Sequence, residues 1–99
     1  MLNFTSLYSG SSGNCLFVET SNTKILIDAG VSLKKIEKGL ECINVEPSDL
    51  SAVIVTHEHT DHIQSLGNLS RKFNLPVFAT SRTFDAMPKQ TEKISDNNK

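Results

Sequence analysis

Three histidines and an aspartate stand within six positions, in the run Thr56-His57-Glu58-His59-Thr60-Asp61-His62. A neutral imidazole offers a lone pair to a cation and a carboxylate offers charged oxygens. The set suits zinc, with manganese or iron as alternatives. Residues two apart in an extended chain share a side. His57, His59 and Asp61 therefore converge on one point if the backbone stays extended. His62 then opens a helix, whose dipole favours the neutral, ligating imidazole. Glu58 alternates away and reads as a surface or supporting residue. Asp61 has a rival role, because Asp61-His62-Ile63-Gln64 fits an N-cap with Gln at the third helical position. One carboxylate has two oxygens, so capping and ligation can coexist. The bland alternative is a polar loop of solvated histidines; four donors in so short a run favour the metal.

Other residues bear on this cluster. Asp28 ends the run Lys24-Ile-Leu-Ile-Asp28 before Ala29-Gly30. A carboxylate there either accepts a hydrogen bond from a ligating histidine or the backbone, or simply forms the turn; position does not choose between them. Ser9-Gly-Ser-Ser-Gly-Asn14 is a dense turn signal whose backbone N–H groups could face an anion. No Gly-Lys-Ser/Thr follows it, which excludes a phosphate-binding P-loop. A nucleophile elbow, paired glycosidase carboxylates and a dinucleotide fingerprint are also missing. Cys15 and Cys42 are too few for a disulfide framework or a thiolate zinc site and read as small core or boundary thiols.

The elements that must position the cluster follow from hydrophobic period. Leu2–Leu7 alternates as a first strand, and Cys15–Thr20 and Lys24–Asp28 read as a hairpin around Ser21-Asn22-Thr23. From Ser32, a candidate N-cap, Leu33, Ile36 and Leu40 recur at helical spacing. Glu46–Asp49 breaks the chain, and Ala52–Val55 is a short β-branched strand leading into the histidines. Ile63, Leu66, Leu69 and Phe73 make a helical stripe ending near Asn74. Pro76–Thr80 is a further strand, and Ser81 caps a short helix that stops at Met87-Pro88. Antiparallel strands followed by strand–helix–strand units predict an α/β fold with a mixed sheet and helices on one face. The expected organisation is one domain piece over residues 1–88 and a polar, mobile tail over 89–99.

Composition sets outer limits. Ten Lys+Arg against eleven Asp+Glu give a net charge of −1, so nucleic-acid binding cannot be argued from net charge. At 37% apolar and 21% charged residues, 99 residues suit a globular piece rather than a disordered one. No apolar run is long enough to span a membrane. The start carries no basic region with a long apolar stretch, so a reducing, cytoplasmic setting is expected.

Taken together, His57-x-His59-x-Asp61-His62 after a β-branched strand, and Ile27-Asp28-Ala-Gly30 before it, resemble the metallo-β-lactamase-fold hydrolases. With Ser9–Asn14 and Arg71-Lys-Phe-Asn-Leu-Pro-Val77 added, the chain is similar to the YycJ/VicX/WalJ-like branch of that family. The resemblance implies the N-terminal half of a four-layer α/β/β/α sandwich. It implies two divalent metals, zinc first and manganese as the alternative, with His57 and His59 on one and Asp61 and His62 on the other. Asp61 is thereby the implied catalytic residue, and Asp28 the supporting carboxylate behind the ligands. The implied activity is phosphodiester hydrolysis, chiefly exonuclease action on DNA, by a hydroxide held between the metals. Two alternatives stand beside it: a non-catalytic fragment that holds metal weakly or needs a partner, and the same fold acting on a thioester or lactam.

The family also uses a further histidine for each metal and a bridging aspartate from later in the chain, and no histidine follows His62. The expectation is an incomplete, inactive chain with a bare apolar sheet face, completed by a missing C-terminal half or by a second copy as a homodimer. One local departure is Ser65, where the branch usually carries glycine.

Overall fold

The structure, a computed structural model, describes residues 2–10 and 13–99. Five strands form one sheet in chain order: β1 (Asn3–Tyr8), β2 (Cys15–Glu19), β3 (Lys24–Ile27), β4 (Ala52–Ile54) and β5 (Val77–Phe78). The first two pairings are antiparallel and the last two parallel. Parallel neighbours need a crossover. The helix α1 (Leu33–Cys42) supplies the first, and α2 (Thr60–Ile63) with α3 (Leu66–Phe73) supplies the second. Two short helices follow, α4 (Ser81–Ala86) and α5 (Pro88–Thr91). The expected mixed sheet is present.

Cross-strand register explains which face is buried. Phe17, Leu26, Val53 and Val77 lie side by side across β2 to β5. All four are buried in one core with Ile36 and Leu40 of α1 and Leu66 and Leu69 of α3. Residues one position along point to the other face. There Leu16, Ile27, Ile54 and Phe78 form an equally apolar row. Among the described residues no helix covers that row; Phe78 is 60% exposed and Phe4, on the same face, 62%. Monomeric soluble proteins rarely expose large contiguous apolar faces.

Local chemistry sets most element ends. Ser32 caps α1 as expected, its Oγ accepting from the Lys35 N–H at 3.3 Å. Asn74 ends α3 in the left-handed conformation, φ 51°. Thr80, not Ser81, caps α4: its Oγ1 accepts from the Thr83 N–H at 3.1 Å.

Two further expectations fail. The helix expected through Ile63–Phe73 breaks at Ser65. The Ser65 N–H donates to the Ala29 carbonyl (2.9 Å), and its buried hydroxyl donates to that of Val31 (2.6 Å). Ser65 is therefore tied to the turn after β3 and departs from helical φ/ψ. The stretch 89–99 also departs from a polar tail. It contains the end of α5 and a 3₁₀ turn over Asp96–Asn98, and Ile94 is buried in the core. Gln90 Oε1 accepts from the Gly67 N–H (2.8 Å), and Asn98 Nδ2 donates to Asn74 Oδ1 (2.8 Å). One buried isoleucine and two amide side chains anchor this segment without any periodic apolar stripe.

Candidate metal centre

The histidine cluster sits beyond the C-terminal ends of the parallel strands β3 and β4, where open α/β sheets bind ligands. Asp28, the first residue after β3, is buried and has φ 67°. A positive φ is uncommon for any residue but glycine, though Asp tolerates it better than most. The Asp28 N–H donates to Ile54 O at 2.8 Å, which fixes the turn against β4. Its carboxylate then meets three donors. Oδ1 accepts from the Thr56 N–H (2.8 Å), and Oδ2 accepts from the Thr56 hydroxyl (2.6 Å) and from His62 Nδ1 (2.7 Å). Of the two sequence readings of Asp28, hydrogen bonding to a candidate ligand and to backbone is thus realised, together with the turn.

Asp61 does not cap a helix with Gln64. The N-cap of α2 is His59, whose φ of −68° and ψ of 147° are extended, so Asp61 already lies inside the first turn. Its carboxylate faces Asn14 instead, with Asn14 Nδ2 3.2 Å from Asp61 Oδ2. The Asp61 carbonyl accepts from the Asn14 N–H at 2.8 Å, and the Gly30 N–H donates to Asn14 O at 2.9 Å. Gly30 permits this packing: a Cβ there would stand 1.8 Å from the Asp61 carbonyl oxygen. The Ala29 N–H donates to His62 O (2.8 Å), completing the clamp of α2 onto residues 28–31.

The backbone turns helical at Thr60, so simple alternation does not govern which donors meet. His62 Nε2 lies 3.6 Å from Asp61 Oδ2. Two donors bound at about 2.1 Å to one tetrahedral zinc stand about 3.4 Å apart, so this pair fits a shared ion. The His57 ring is nearer His62 (centroids 4.7 Å) than His59 (6.0 Å). His57, Glu58 and His59 are exposed. The donors thus fit a divalent ion by type, and His62 with Asp61 by distance as well, while no group of three or more among the described residues is arranged to hold one.

The sequence motifs contain Asn14, Gly30 and Thr56, and Ser65 stands out as a departure, but spacing gave none of the four a role in this site. For Asn14 the signal was the turn-rich run Ser9–Asn14, of which Ser11 and Ser12 lie outside the described residues. Asn14 serves there through a hydrogen bond to Asp61. Cys15 carries no chemistry at the site: burial, with the Asp28 charge in support, pushes its thiol up to about 12. It stays protonated and inert at neutral pH.

Comparison with known proteins gives a consistent neighbourhood. A family model described as the metallo-beta-lactamase superfamily matches residues 8–97. The exodeoxyribonuclease WalJ of Streptococcus pneumoniae is 49% identical over 84 residues, covering 85% of this chain and 31% of that protein. The exodeoxyribonuclease YycJ of Bacillus anthracis is 48% identical over 86 residues, covering 87% and 33% respectively. The chain therefore spans about a third of the length of these curated relatives. A solved B3 metallo-beta-lactamase with an active-site glutamic acid superposes with a TM-score of 0.74 at 22% identity, over 85% of this chain and 32% of that one. At that identity the likeness speaks for the fold.

Proposed function

Because the chain belongs to the metallo-beta-lactamase superfamily, we propose that it forms the first part of a metal-dependent phosphodiesterase, a DNA exonuclease working in the cytoplasm. The observation that carries this reading is the cluster itself: His62 and Asp61 at ion-sharing distance, with His57 beside them and Asp28 behind them. Near-half identity to two proteins named exodeoxyribonucleases supports DNA as substrate.

In this reading His57 and His59 hold one divalent ion and Asp61 and His62 the other, zinc by donor type with manganese as the alternative. Bound ions of this kind polarise a phosphoryl oxygen and make hydroxide available near neutral pH. The chain's own residues supply the rest. Asp28 orients His62 so that its Nε2 faces Asp61. Asn14 holds the Asp61 carboxylate in place. Two protein ligands per ion fall short of the three in catalytic zinc sites. The remaining ligands therefore come from outside this chain, and the segment that brings them packs on the open face of Phe4, Ile54 and Phe78.

A chimera tests this. In it, the chain replaces the matching segment of the pneumococcal relative and is assayed on DNA with zinc or manganese. The chimera is expected to shorten DNA from its ends, and Asp61→Ala in the chimera to abolish this, while the 99-residue chain has no activity. A folded, metal-loaded chimera without nuclease activity would count against the reading, as would robust cleavage by the chain alone.

A further inference from the structure

Thr56 stands between Asp28 and His57, and its hydroxyl has one proton to give and two lone pairs. Its Oγ1 is 2.6 Å from Asp28 Oδ2 and 3.0 Å from His57 Nδ1. A carboxylate only accepts, so the hydroxyl proton must lie on the short contact to Asp28; turning it the other way would set two acceptors face to face. An O–H···O⁻ contact of this length is the strong, charge-assisted kind. With that proton committed, Oγ1 can only accept from His57, and Nδ1 of His57 must carry the hydrogen. His57 Nε2 is then left with its lone pair free. The same carboxylate oxygen imposes the same form on His62 directly, through the 2.7 Å contact to Nδ1.

We propose that Thr56 is a positioning residue that relays the Asp28 carboxylate to His57 and fixes that imidazole in the Nδ1–H tautomer, with Nε2 presented to a metal. One buried carboxylate thereby prepares two imidazoles from different elements, His57 just beyond β4 and His62 within α2. A solvated imidazole with no partner at Nδ1 prefers the Nε2–H form, which would point a hydrogen instead of a lone pair at the ion. The β-branched threonine has few rotamers, which keeps the hydroxyl on this line. The consequence for metal affinity rests on the function proposed above; the tautomer does not, so the two can fail separately.

The test uses the metal-free, 15N-labelled chain at a pH where the imidazoles are neutral, with tautomers read from two-bond 1H–15N spectra. His57 is expected as Nδ1–H in the parent and in Thr56→Ser, and mainly as Nε2–H in Thr56→Val. His62 should stay Nδ1–H in all three, because its bond to Asp28 does not pass through Thr56; that retention also shows that the fold is intact. Thr56→Ala removes the hydroxyl with a different change in packing and should match Thr56→Val. Zinc affinity, by competition with a chelating dye, should fall about tenfold in Thr56→Val and recover in Thr56→Ser. Nδ1–H retained by His57 in both Thr56→Val and Thr56→Ala, or Nε2–H in the parent, overturns the relay. An unchanged zinc affinity together with the expected tautomer switch overturns its role toward metal.

Discussion

Asp28→Asn should cost the chain about 2–3 kcal/mol of stability and weaken zinc binding 10- to 100-fold. The substitution is nearly isosteric, and asparagine tolerates the positive φ of 67° at this position, so the backbone gives no independent reason for a loss. What changes is the hydrogen-bond inventory. Asp28 is 4% exposed and meets three donors, from Thr56 N, Thr56 Oγ1 and His62 Nδ1. An amide has one acceptor oxygen and two N–H groups, so either a donor faces another donor or Thr56 Oγ1 and His62 Nδ1 both turn to accepting, which puts the His62 hydrogen on Nε2 in place of the lone pair a metal needs. Either way the charge-assisted hydrogen bonds to the carboxylate are lost. Urea unfolding and zinc competition of the parent and variant give the two numbers. Parity in both would mean that Asp28 is only a turn residue.

Gly30→Ala should cost about 3 kcal/mol or more, while Gly39→Ala should add about 0.5–1 kcal/mol. The opposite signs come from geometry. At Gly30 a methyl group would stand 1.8 Å from the Asp61 carbonyl oxygen and 2.8 Å from the Asn14 nitrogen, both backbone atoms that cannot swing aside. Relief requires α2 to lift from the turn after β3, which breaks the Asn14–Asp61 and Ala29–His62 hydrogen bonds that place the candidate ligands. Gly39 lies inside α1, and a methyl group there would touch Leu7 and Tyr8 at 3.5 Å, an ordinary contact. Alanine at that position gains helix propensity and loses unfolded-state freedom. Urea midpoints at equal m-values compare the two. Equal shifts for both variants would contradict the close approach of α2 to the turn.

What could be read from the sequence divides along a physical line. Strands and helices with sustained periods were legible, because they depend on neighbours in the chain. The order of Phe17, Leu26, Val53 and Val77 across the sheet follows from the same alternation that marked their strands. The arrangement of the donors was not legible. Asp61 fits a capping box by spacing, yet its carboxylate goes to Asn14, 47 positions away. Ser65 fits a continuous helix, yet its hydroxyl goes to Val31. Both are tertiary hydrogen bonds that outweigh weak local preferences. The segment around Ile94 was missed because a single anchoring isoleucine leaves no period to detect.

The central claim is that His57, His59, Asp61 and His62 grip divalent cations. Zinc titration followed through the imidazole 15N resonances tests it most directly. The account predicts saturable shifts at all three histidines, weaker binding in His59→Ala, and parent-like binding in Glu58→Ala. Imidazoles that stay unshifted in excess zinc or manganese, or equal losses from His59→Ala and Glu58→Ala, would contradict it.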